Sequence, residues 1–108
     1  MSKSPLTRTV TVLNEAGLHA RPADLLVRMA NQFKSTIMIG KGSEFVDCKS
    51  ILSLLTLGAA KGTELSLRVE GVDADQALQS VAELFDSGFE DSKALKNAEP
   101  VVDSRDDN

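Results

Sequence analysis

Across Gly17–Ala23 the chain switches its hydrophobic period from two to between three and four, and that switch dictates a strand, a tight loop and a helix in that order. From Leu6 to Leu13 residues alternate: Leu6, Arg8, Val10 and Val12 share one face, and Thr7, Thr9, Thr11 and Leu13 the other. Rich in β-branched side chains, this segment reads as a strand. From about Ala20 to Phe33 the spacing is helical, with Pro22, Leu26, Met29, Ala30 and Phe33 on one face and Asp24, Arg28 and Asn31 on another. Asp24 and Arg28 also form a favourable i,i+4 pair. Asn14-Glu15-Ala16-Gly17 must make the turn between them, and Gly17 supplies the backbone freedom. Pro22 suits the first helical position, where its missing N–H costs nothing and its fixed φ is already helical.

The remaining punctuation is equally regular. Thr36–Ile39 and Glu44–Asp47 flank Gly40-Lys41-Gly42-Ser43, a hairpin pattern. Ser50 is placed to cap a short apolar helix over Ile51–Leu57, and Gly58 to stop it. Ala59-Ala60-Lys61-Gly62 turns into a strand, Glu64–Val69. Asp73 with Gln76 has the reciprocal capping-box spacing for a last helix, whose buried face is Ala77, Leu78, Val81, Leu84 and Phe85 and which ends at Gly88. The order βαββαβα alone does not choose among several small folds; with four strands in one antiparallel sheet and all helices on one face it would be an α+β open-faced β-sandwich. A chain of 108 residues suits one such domain, here 1–88. Residues 89–108 turn polar and acidic and are expected to be a disordered tail.

Charge and cysteine content exclude several functions. Of the formal net charge of -4, residues 89–108 carry -3, so the expected domain is nearly neutral and has no basic stripe for nucleic acid. Cys48 stands alone and reads as a small buried apolar residue. One Cys with one His makes no metal cage, and no cofactor is expected. No apolar leader or membrane-length run is present, which reads as a soluble cytoplasmic protein.

His19, the only histidine, lies where the first helix begins. There the backbone N–H groups of Ala20 and Arg21 lack intrahelical partners and the helix dipole is positive, a setting that holds an anion. Histidine can accept and return a phosphoryl group near neutral pH, and the Arg21 guanidinium has the fork geometry for phosphate oxygens. Glu15 and Asp24 are nearby acids read as solvated.

Gly17-Leu18-His19-Ala20-Arg21-Pro22-Ala23, followed by Lys49-Ser50-Ile51 and Leu57-Gly58, resembles the HPr family, the histidine phosphocarriers of the bacterial sugar phosphotransferase system. The likeness covers Leu6 to about Ser87. It implies the four-stranded sheet with three helices, phosphorylation of His19 on Nδ1 by enzyme I, and transfer to IIA domains by a monomer. It also implies a regulatory serine at Ser50, the target in some bacteria of HPr kinase/phosphorylase, and a docking patch of Ile51, Leu52 and Leu55. Leu54 and Leu57 then point inward, and Arg28, one face over from Arg21, adds a basic rim. The same residues also fit a nitrogen-type phosphorelay relative. A purely regulatory docking module would need neither His19 nor Arg21, and a small acylphosphatase-like hydrolase is disfavoured by the lone loop histidine.

Overall fold

In the computed structural model, which describes residues 4–89, β1 (Leu6–Thr11) is followed by α1 (Ala20–Ala30), β2 (Thr36–Lys41), β3 (Glu44–Asp47), α2 (Ile51–Leu57), β4 (Glu64–Glu70) and α3 (Ala74–Asp86). The strands form one sheet in the order β1-β4-β2-β3, antiparallel throughout. This is the expected open-faced α+β sandwich. Period two decides which side of the sheet is dry. Val10 faces Leu65, Leu67 faces Ile39 and Val69 faces Ile37, and all six are buried. Thr7, Thr9, Ser66 and Arg68 project from the other side and are exposed. Leu26 and Met29 of α1, Leu54 of α2 and Val81 and Phe85 of α3 complete the core. Cys48 is fully buried among them, as expected, and burial pushes its thiol pKa up, which keeps it an unreactive thiol.

Several boundaries differ from the sequence reading, each for an identifiable reason. α1 stops at Ala30, not Phe33: the next turn tightens, with Gln32 N–H on Met29 O at 3.1 Å and Phe33 N–H on Ala30 O at 3.1 Å. Phe33 is therefore only half-buried. Pro22 is the third helical residue, not the first. It still costs nothing there, because the whole first turn lacks N–H acceptors. β2 runs on to Lys41, which pairs with Glu44, so the hairpin turn is Gly42-Ser43 alone, with Gly42 at φ 68°.

The capping box before α3 does not form. Asp73 is the N-cap residue, but its carboxylate makes no cap bond. It accepts instead from Lys34 N–H at 2.9 Å, Ser35 N–H at 2.9 Å and Ser35 Oγ–H at 2.5 Å. Three charge-assisted bonds to a loop distant in sequence outweigh one local cap bond. At the other end the packed domain runs one residue past Gly88: Phe89 is buried, edge-on to Phe85 with ring centroids 4.9 Å apart. The rest of the expected tail lies outside the described residues.

Candidate functional site

The turn that delivers His19 is tied at several points. Where β1 ends, Val12 N–H donates to Thr63 O at 2.9 Å and Gly62 N–H to Val12 O at 2.7 Å, so the two loops leave the sheet side by side. Gly17 N–H donates to Asn14 O at 3.0 Å, and Leu18 N–H to Ala59 O at 2.8 Å. Gly17 stands at φ 80°, a value a side chain disfavours, and a Cβ there would lie 2.6 Å from Ala59 O. The loop is thus pressed backbone to backbone against the segment after α2. Leu18 drops into the core and His19 stays exposed.

His19 is the N-cap residue of α1, in extended backbone conformation, and its side chain makes no cap bond. Its carbonyl accepts the first helical bond, from Ala23 N–H at 2.9 Å. Among the described residues the N–H groups of Ala20 and Arg21 have no acceptor, and Pro22 has no N–H. The first turn of α1 also carries no acid to offset the positive end of the dipole. An exposed imidazole, two open N–H donors and the exposed Arg21 therefore lie within three consecutive residues. That arrangement can hold a tetrahedral anion against a nucleophilic nitrogen.

Neither nearby acid is recorded bonded to His19. Glu15 pairs with Lys61 at 2.6 Å, which holds its carboxyl below the usual range through the hydrogen bond and the charge of that lysine. Asp24 pairs with the Arg28 Nε at 2.9 Å. Arg28 lies two turns beyond Arg21, hence on the same stripe of α1 rather than one face over, and the Asp24 carboxylate offsets its charge.

α2 packs against α1. The Ser50 Oγ accepts from Ser53 N–H at 3.3 Å and Gly58 closes the helix at φ 58°, so both expected caps form. Leu54 and Leu57 are buried, while Leu52 at 73% and Leu55 at 38% are exposed. Ile51 departs from expectation: it is half-buried and packs on the core, so the exposed patch is Leu52 and Leu55. A seven-residue helix turns positions 51, 54 and 57 or 58 toward the same side, and Ile51 follows Leu54 inward.

The sequence reading missed the partners of the His19 loop: Asn14, Ala59 and Lys61. Their local patterns say only loop and turn, and no periodicity reveals that the two loops meet. Among the described residues no cluster of His, Cys, Asp or Glu could hold a metal ion, and no helix is long and apolar enough to cross a membrane.

Comparison with known proteins gives a consistent result. A family described as "PTS HPr component phosphorylation site" matches residues 6–87. The phosphocarrier protein HPr of Treponema pallidum (strain Nichols) is 44% identical over 86 residues, which cover 80% of this chain and 98% of that protein. The crystal structure of HPr-C-His from Thermoanaerobacter tengcongensis superposes with a TM-score of 0.76 at 36% identity, covering 80% of this chain and 97% of that one. That of a phosphocarrier protein HPr from Bacillus anthracis str. Ames gives 0.73 at 35%, covering 77% and 99%. With the family matched over residues 6–87, this identity over most of both chains and superposition at these TM-scores, the chain belongs to the HPr family of phosphocarrier proteins of the phosphotransferase system.

Proposed function

We propose that His19 is the phosphoryl acceptor, charged by phospho-enzyme I and discharged to a IIA domain, by a monomer that needs no metal or organic cofactor. One observation carries the reading: the exposed imidazole at the N-cap is not spent on capping and sits beside the open N–H groups of Ala20 and Arg21. A lone pair on a ring nitrogen attacks phosphorus. The new P–N bond forms as the bond from phosphorus to enzyme I breaks, and its electron pair returns to enzyme I. The N–H donors and the Arg21 fork hold the phosphoryl oxygens during and after transfer. Discharge to a IIA domain is the same step run toward a new acceptor.

Leu52 and Leu55 supply apolar contact to both partners in turn, with Arg21 and Arg28 at the rim. Ser50 is the regulatory site in this reading, modified by a kinase/phosphorylase where the cell has one. A phosphate there adds about -1.5 to -2 charge beside the patch, at a helix start that tolerates it.

Incubation with enzyme I and labelled phosphoenolpyruvate tests the reading. One phosphoryl group is expected per chain, acid-labile and base-stable as a phosphoramidate, and absent from His19→Ala. Equal labelling of His19→Ala and the wild type would reject it.

A further inference from the structure

Asn14 is half-buried and has one buried, unpaired atom. Its Nδ2 donates to the carbonyl of Gly17, while Oδ1, shut off from solvent, has no donor among the described residues. That same Gly17 carbonyl accepts His19 N–H at 3.0 Å, and Gly17 N–H returns to Asn14 O at 3.0 Å. Residue 17 is therefore gripped by residue 14 through both its N–H and its carbonyl. Behind it Ala59 and Ala60 leave no room to retreat, since even a Cβ would stand 2.6 Å from Ala59 O and 3.0 Å from Ala60 Cα. The orientation of the Gly17 carbonyl is then the element that sets how the backbone enters His19, and it is held by Asn14 on one side and by His19 N–H on the other. A buried acceptor without a donor is unfavourable for the fold. What the side chain supplies is a shape.

We infer that Asn14 is a positioning residue for phosphoryl acceptance: through the Gly17 carbonyl it fixes the backbone of His19, so that the imidazole and the open N–H groups of Ala20 and Arg21 serve one phosphoryl group. The inference rests on His19 being the acceptor. Orientation errors act on the reacting geometry, so they slow the chemical step more than they weaken docking.

The test is single-turnover transfer from phospho-enzyme I to wild type, Asn14→Ala and Asn14→Leu, with melting curves and amide hydrogen exchange. Asn14→Leu keeps the size of the side chain and removes the donor without adding a charge, and it carries the test if Asn14→Ala fails to fold. Both variants are expected to lose roughly tenfold in rate at saturating donor, about the value of one neutral hydrogen bond, with less than about a twofold change in the half-saturating concentration. His19 N–H should exchange faster, while Ile39 and Leu67 keep wild-type protection. Asn14→Ala should melt no lower than wild type, because the orphaned oxygen goes with the side chain. Wild-type rates in both variants would overturn the inference. So would a loss confined to half-saturation, which assigns Asn14 to docking, or a parallel loss of melting temperature and core protection, which assigns it to the fold. Failure to label wild type at His19 would instead reject the carrier reading, and this inference with it.

Discussion

At the scale of single residues, this site depends on backbone as much as on side chains. Gly17 shows it most clearly. At φ 80°, with Ala59 O in the space a Cβ would take, Gly17→Ala meets both a left-handed strain of about 1–2 kcal/mol and a backbone clash. A drop in stability of at least that size is expected in a thermal melt, together with slowed transfer through His19. A variant that melts and transfers like wild type would show that the loop yields. Arg21 makes the opposite case, an exposed side chain with no recorded partner among the described residues. Arg21→Lys keeps the charge and loses the fork, so stability should move by no more than ~0.5 kcal/mol while discharge to the IIA domain slows. Unchanged rates in both directions would make Arg21 a bystander. The exposed placement of His19 and Arg21 at the start of α1 was legible in the sequence because both lie within one short motif. The bond from Asn14 to Gly17 was not, because it depends on a turn whose shape is set by Ala59, on another loop.

At the scale of elements, α2 divides its leucines between the core and the surface. Leu54 is fully buried, and Leu54→Ala should cost about 2–5 kcal/mol by leaving a cavity. Leu55→Glu should leave the domain folded, since Leu55 is 38% exposed, and weaken binding to both enzyme I and the IIA domain. Ser50→Asp should weaken enzyme I binding where the facing surface is acidic. Titration calorimetry beside melting curves separates these outcomes, and unfolding by Leu55→Glu would return that residue to the core. Strand and helix existence was legible throughout, because period two and the helical period are local properties. Element ends were less so. Asp73 offers the right side chain at the right spacing for a cap, yet it turns to Ser35, a choice that only the folded chain presents.

At the scale of the whole molecule, that choice ties the α1–β2 loop to the start of α3. The Ser35 hydroxyl, and after it the Lys34 N–H, holds the Asp73 carboxyl below the usual carboxylate range. A depressed folded-state pKa means that the stabilisation is complete above the unfolded value of about 3.9 and fades as pH falls through the lower folded value. Asp73→Ala should therefore melt below wild type at pH 7, with the gap closing once pH drops under about 4. A gap that stays constant into acid would mean that the carboxylate's charge plays no part. Among the described residues the open side of the sheet has no such ties: Thr7, Thr9, Ser66 and Arg68 face away from the core. The stitching of the His19 loop to Ala59, by Leu18 N–H and by the close seat of Gly17, has a wider reach. Those contacts exist only once β1, α2 and β4 have come together, so a nascent or misfolded copy has the histidine but not its setting. Under the assignment of His19, such copies would draw no phosphate from the donor. Every phosphorylated chain would then be an intact one, and a cell's damaged copies would neither drain its phosphoryl supply nor pass on a false signal.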